Sequence, residues 1–470
     1  MRRTARPRTR AASATSASVW SIGVSLALLT YAFLHDNSAS NSDTAGYGWT
    51  RLMEMPRQVR FFEFAAIVGI VVILLITRRV SRTTGWIIAG CFLFTVVATF
   101  SYLRRPLVAP VDFARLVYMY LLPLLVFTIA RELPWTFSAL SRVVKFTLFW
   151  VLISAALSWI QYLYFGYEPG DDITGLNQDA HCNVALLLVA MLLMLAQGLF
   201  FRRSLRIVLA AALCVTAVLP SALKMLFLVP FIVAVLLWYY ATKQRRTRWL
   251  TIVKRGTAAI VVIVPLIAVT KATFERIDFR SAPRIPDVAT RFAADPWSFG
   301  PIGAHLRAVH DVFRSPSSFF LGYGPFSFAN PISMGQTREG GALDRFTEAD
   351  LIAGSGESGE DARVTLTTSL AEEFGVPAFL LLCVLYGVVV WSAHRCTHSN
   401  EISVRTYGAA VVPGLLLLLG VGAMSLFASL SSLAFSWPLM IIAGSAAHLH
   451  AQYGAAAPAA SADRPASGVS

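Results

Sequence analysis

Charge is what this chain has least of. Of its 470 residues 14% are Asp, Glu, Lys or Arg, where an ordinary soluble domain carries about 25%. Hydrophobic residues make up 56% and the mean hydropathy is +0.61. A soluble fold of this size cannot hide so much apolar surface, so the composition excludes a string of soluble domains and points to an integral membrane protein. Lysine is scarce too: Lys145, Lys224, Lys243, Lys254 and Lys271 are the only five among 40 basic residues, the rest being Arg. The five cysteines (Cys91, Cys182, Cys214, Cys383, Cys396) show no paired spacing, and four lie in or beside apolar segments. That argues against a disulfide framework and against a CxxC metal site. A Walker-type glycine loop is also missing, so nothing in the sequence marks a nucleotide phosphate cradle.

The net charge of +14 would suit a nucleic-acid binder if it formed a groove with interleaved aromatics. Instead the arginines sit in short clusters between apolar runs, the layout of a positive-inside membrane protein. Nucleic acid is therefore not an expected partner.

Apolar runs of spanning length fall near 18–34, 61–77, 84–103, 113–130, 146–165, 181–201, 207–222, 225–241, 256–271, 369–392, 406–429 and 432–450. Each approaches the 17–25 residues that a crossing needs. The pattern predicts an all-α integral membrane protein of about 12 transmembrane helices. Pro220 to Lys224 separates the seventh from the eighth, because one helix over 207–241 would be too long for a bilayer. The basic clusters at Arg2–Arg10, Arg78–Arg82, Arg131–Lys145, Arg202–Arg206 and Lys243–Arg255 all fall on one side if each run crosses once. That side is read as cytoplasmic, with both termini on it and the first helix retained. The expected organisation is a basic N-terminus at 1–17, helices 1–9 over 18–271, one large extracytoplasmic loop over 272–366, helices 10–12 over 367–450 and a disordered tail at 451–470. Within the loop, 272–335 is aromatic enough to pack as a subdomain, whereas 335–361 is Gly-rich and acidic and reads as mobile.

Ionisable residues inside spans are costly, so their depth is informative. Glu63, Asp112, Arg115, Asp179, His181, Lys224, Glu372 and Glu373 all fall at the outer ends of their helices, and the helix centres are almost free of charge. A cation-coupled transporter would carry such groups near the midplane. Each residue alone is explained by interfacial anchoring. A ring of both signs at one depth, roofed by a loop of about 95 residues, suggests polar chemistry in the outer leaflet. The loop holds nine Arg and no Lys beyond Lys271, and Arg grips diphosphate in a bidentate way. High-GC codon usage explains part of that preference.

Three segments, in order, resemble the O-antigen ligase and O-antigen polymerase-like membrane proteins. Thr174-Gly175-Leu176-Asn177-Gln178-Asp179-Ala180-His181-Cys182-Asn183 is similar to that family's glycine-then-asparagine approach to the sixth helix. Phe320-Leu321-Gly322-Tyr323-Gly324-Pro325-Phe326-Ser327-Phe328 resembles its glycine element in the large outer loop, and an amphipathic stretch with Arg307 and Arg314 precedes it. Leu370-Ala371-Glu372-Glu373-Phe374-Gly375 looks like the start of its helix after that loop. Ser221 and Lys224 stand where the family often has Ser-Arg-Gly. One departure is plain: where the ligases carry a His-Asn pair before the glycine matching Gly375, this chain has Arg363, Val364 and Thr365. The ligase histidine has no counterpart, which favours the polymerase branch.

The resemblance implies transfer of a glycan from an undecaprenyl-diphosphate carrier to a sugar hydroxyl at the outer face of a bacterial inner membrane, with other polysaccharide-assembly proteins as candidate partners. Such a reaction uses cations on the leaving diphosphate and a base for the hydroxyl proton, with no cofactor and no metal. The acidic group Glu357, Glu360 and Asp361 matches no recognised cation loop. Arg307 and Arg314 are the first candidates for the cations, then Arg115 and Lys224. Glu372, Glu373, His310 and Asp311 are candidates for the base. Gly322 and Gly324 are expected to shape the turn at the site. Ligase-type transfer to a lipid or protein acceptor, a polysaccharide or lipid exporter, and a glycan-binding scaffold are the other readings.

Overall fold

The computed structural model describes residues 8–38, 59–77, 80–104, 110–167, 173–177, 180–220, 228–243, 306, 309–310, 312–324, 366–424 and 433–453. Among these residues 87% are helical and there is no strand. The expected ninth span at 256–271, the aromatic subdomain apart from parts of 306–324, the acidic stretch 335–361 and the tail beyond Tyr453 lie outside them.

The helices are α1 (Arg8–Ser38), α2 (Val59–Thr77), α3 (Arg82–Arg104), α4 (Pro110–Glu132), α5 (Phe137–Leu163), α6 (Ala180–Phe200) and α7 (Ser204–Thr216). They continue as α8 (Leu228–Lys243), α9 (Pro316–Leu321), α10 (Leu366–Phe374), α11 (Val376–Cys396), α12 (Ile402–Met424) and α13 (Leu433–Tyr453). Among the described residues five stretches are long and apolar enough to cross a membrane: Arg82–Arg104, Phe137–Leu163, Cys182–Phe200, Val376–Cys396 and Ile402–Gly420. Shorter apolar helices cover Val19–His35, Ala65–Thr77, Ser204–Thr216 and Phe231–Tyr240.

Two helices form the centre. In α13 every residue from Leu433 to Ala447 is buried, and in α6 the run from Cys182 to Met194 is buried likewise. A helix that is apolar all round can face either lipid or protein, and these two face protein on every side. α13 packs on α4, α1, α11 and α12, and α6 packs on α7 and α12. The approach of α13 to α4 depends on Gly444, where a Cβ would meet the Phe127 carbonyl oxygen at 2.7 Å and the Arg131 nitrogen at 2.9 Å. Small residues let helix backbones come this close, and in lipid such packing replaces the hydrophobic drive. The outer helices keep large apolar side chains exposed, among them Ile76, Trp86, Phe92, Phe100 and Val384.

Contacts between helices sort into two ends. One end holds Ser81, Arg131, Glu132, His394 and His448, and we call it the basic end. The other holds Glu63, Arg104, Asn183, Gly322 and Glu373, and we call it the loop end.

One expected helix is broken. The apolar run 369–392 is divided at Gly375 (φ 85°) into α10 and α11. Positive φ is costly for residues with a Cβ, so the glycine permits the break. Pro377 in the first turn of α11 then starts the new helix, where its missing N–H costs nothing.

Candidate functional site

The loop end gathers two segments that lie about fifty residues apart in sequence. Ser315 opens α9 with a reciprocal cap: its side chain accepts from the Ser318 N–H at 3.1 Å, and the Ser315 N–H donates to Ser318 Oγ at 3.1 Å. Pro316 follows at the first helical position. Gly322 (φ 66°) ends the helix and Gly324 (φ 101°) follows, so the chain turns and lies against the end of α10. There the Tyr323 N–H donates to the Glu372 carbonyl oxygen at 2.7 Å, and the Gly324 N–H donates to that of Glu373 at 3.1 Å.

The fit is mutual. A Cβ on Gly322 would sit 2.5 Å from the Glu372 and Glu373 carbonyl oxygens, and one on Gly375 would sit 2.6 Å from that of Phe320. Two glycines from two segments thus allow one backbone to touch the other.

Helix α3 completes the junction. Ser101 Oγ donates to the Glu373 carbonyl oxygen at 2.7 Å. Arg104 Nη1 donates to the carbonyl oxygens of Ser317 at 3.1 Å and Gly322 at 3.2 Å, while Nη2 reaches Ser317 Oγ at 2.9 Å. Arg104 thus spans the short helix, from Ser317 in its first turn to the C-cap Gly322, where a cation is favourably placed. Neither Ser101 nor Arg104 stands out from the motifs. The available signal was position: Arg104 is a basic residue at the end of a span where the charge rule expects few.

The remaining candidates are distributed as follows. Glu372 and Glu373 are buried, at 4% and 0% exposure, and Phe374 beside them packs edge-on against Phe94 and Tyr120. His310 and Arg314 are exposed on the approach to α9, with Val312 buried between them. Arg115 lies in the second turn of α4 at the loop end, and its side chain is outside the described residues. Arg307, Asp311 and Lys224 are outside them altogether. The structure therefore brings Gly322, Gly324, Glu372 and Glu373 together, with Arg314 one cap residue away from α9. Among the described residues no group of three or more His, Cys, Asp or Glu could hold a metal ion.

Two further polar clusters occupy the same end. Glu63 accepts from the phenols of Tyr31 at 2.6 Å and Tyr118 at 2.9 Å, which ties α1, α2 and α4 together. Asn183 on α6 accepts from Ser154 Oγ at 2.9 Å and from Asn177 Nδ2 at 3.2 Å, and donates to Ser158 Oγ at 2.8 Å and the Ile173 carbonyl oxygen at 3.3 Å. Gly175 (φ 57°) sits over this network, where a Cβ would lie 2.5 Å from Ser154 Oγ, and its N–H donates to Gln161 Oε1 at 2.9 Å. The Gly-Leu-Asn stretch before α6 is thus a plug held by buried amides and hydroxyls, while Asn177 Oδ1 is buried without a hydrogen-bond partner among the described residues.

No protein-family model matches the chain, and no curated protein matches it either.

Proposed function

We propose that the chain is a multi-pass protein of a bacterial cell membrane, with about twelve spans, cytoplasmic termini and the 272–366 loop outside, and that it polymerises polysaccharide. In this reading it transfers a glycan from a polyprenyl-diphosphate carrier to a sugar hydroxyl at the outer face. The observation that carries the reading is the backbone docking of the Gly322–Gly324 turn onto Glu372 and Glu373. Two of the three segments that resemble the polymerase and ligase family meet there, at the end of the bundle where exposed Arg314 and His310 also lie.

The chemistry needs little. The acceptor hydroxyl oxygen attacks the anomeric carbon, the bond from that carbon to the diphosphate oxygen breaks, and the diphosphate leaves on its lipid. The hydroxyl proton passes to a base. Arg314, with Arg307 from the same stretch, neutralises charge building on the leaving group. His310 is the better base on exposure, because Glu373 is shut away and serves the junction through its backbone carbonyl.

The test is turnover of a lipid-diphosphate glycan by the purified full chain in lipid, with no ATP. Arg307→Ala and Arg314→Ala should each lose about 2.7–4 kcal/mol of transition-state stabilisation, about a hundred- to thousandfold in rate. Arg→Lys should rescue only in part, since a planar fork becomes a point charge. Polymer of normal length and yield from both Ala variants, at normal abundance, removes them from the site.

A further inference from the structure

The basic end carries a charge imbalance that glycan transfer does not use. Arg131 lies in the last turn of α4, Arg395 in the last turn of α11, His398 just beyond it, and His450 in the last turn of α13. The ends of α4 and α13 meet where His448 Nδ1 lies 2.8 Å from the Arg131 carbonyl oxygen, α11 packs on α13, and Arg395, His398 and Arg131 are all near enough to His450 to perturb it. The carboxylate facing Arg131 is Glu132, whose Oε1 takes hydrogen bonds from Thr84 Oγ1 at 2.5 Å and the Ser81 N–H at 3.2 Å. Among the described residues the charged groups acting on Arg131 are one guanidinium, Arg395, and one carboxylate, Glu132, so these three carry one positive charge in excess before either imidazole gains a proton.

The members differ in how they are held. Arg131 is anchored, with Nε on Ser81 Oγ at 3.0 Å and Nη2 on Thr83 Oγ1 at 3.2 Å. Arg395 is exposed. His450 keeps a buried Nδ1 that no hydrogen bond meets among the described residues.

The surface leading up to Arg395 is apolar. Leu380, Val384 and Trp391 are 54%, 62% and 62% exposed. At 3.6 residues per turn these three and Arg395 fall within roughly 60° of one face of α11. A soluble anion has no use for such a stripe, whereas an amphiphile with an anionic head fills both parts.

We propose that this face binds an anionic phospholipid, with its phosphate at Arg395, Arg131, His398 and His450 and its acyl chains along Leu380, Val384 and Trp391. Arginine suits the head because its fork pairs two phosphate oxygens at once, and basic clusters between membrane helices recognise anionic headgroups in the same way. The proposal is independent of the glycan-transfer reading.

Trp391 supplies the probe. The full chain is placed in nanodiscs of phosphatidylcholine, and brominated phosphatidylglycerol or brominated phosphatidylcholine is titrated in. Quenching of Trp391 is the difference between the wild-type protein and Trp391→Phe. A basic residue near a headgroup contributes about 1 kcal/mol, about fivefold in affinity. Wild type should thus prefer the anionic lipid at least about fivefold, and Arg395→Gln should lose about fivefold while quenching by phosphatidylcholine is unchanged. Arg142→Gln, an exposed arginine on α5 at the same end, should keep the preference. Equal quenching by both lipids in wild type overturns the proposal. Equal losses from Arg395→Gln and Arg142→Gln replace the site with a diffuse field. Displacement by millimolar inorganic phosphate makes the site one for a free anion and overturns the lipid assignment.

Discussion

At Gly322 and Gly375 two backbones touch where a methyl group does not fit. The consequence at this scale is sharp, because both residues also hold positive φ. Gly322→Ala should cost about 1–3 kcal/mol through overpacking alone, and more through the strain of an L-residue at φ 66°. Since the clash is with backbone, relief requires the turn to lift away from α10. Hydrogen exchange at the Tyr323 and Gly324 amides should then accelerate while the interior of α11 stays protected. Gly387 in α11 is the control, because a Cβ there meets nothing within 4 Å, and Gly387→Ala should be neutral or stabilising by up to about 1 kcal/mol. Unchanged exchange at Tyr323 and Gly324 in Gly322→Ala means the two segments do not dock this way.

Among elements, the plug before α6 shows how a polar stretch enters an apolar bundle. Ile173 to Asn177 is not helical, yet the Gly175 N–H, the Leu176 N–H and the Ile173 carbonyl are met by Gln161, Ser154 and Asn183 from α5 and α6. Irregular backbone at this depth is tolerated only when protein satisfies it. Asn183 makes four hydrogen bonds in all, to Ser154, Asn177, Ser158 and the Ile173 carbonyl, and bonds between membrane helices average about 0.6 kcal/mol each. Asn183→Leu should therefore lose roughly 2–3 kcal/mol, measured as a shift in detergent-induced unfolding. Ser158→Ala removes one partner and should lose well under half as much. Equal losses from the two would mean that the network stands or falls as one unit rather than bond by bond.

For the whole molecule, the segregation of polar groups into two ends sets the topology that the proposed function needs. Phe313 at the loop end and Asn400 at the basic end are both exposed, so each suits a cysteine probe in a cysteine-free background. With Phe313→Cys and Asn400→Cys, a membrane-impermeant maleimide should label position 313 and spare position 400 in cells permeable only at the outer barrier. The reverse pattern would place the loop inside and remove the outer-face reaction.

What could be read from residue order alone was governed by transfer energetics. The helical class and the membrane setting follow from long apolar runs, because a backbone in lipid must satisfy its hydrogen bonds within each segment; which helices lie at the centre does not, since α11 is as apolar as α6 and yet faces outward. Glu372 and Glu373 were legible as a polar pair at the start of an apolar run for the same reason. The break at Gly375 was not, since a single glycine inside a run is also compatible with a continuous helix, and only the neighbouring Phe320 carbonyl explains it. Arg104 was hidden likewise: its partners are the carbonyls of Ser317 and Gly322, more than two hundred positions away in the chain. Spans are decided locally, by the hydropathy of about twenty consecutive residues. The junction at the loop end is decided by which backbones can approach within hydrogen-bonding distance, and that depends on three helices being packed together first.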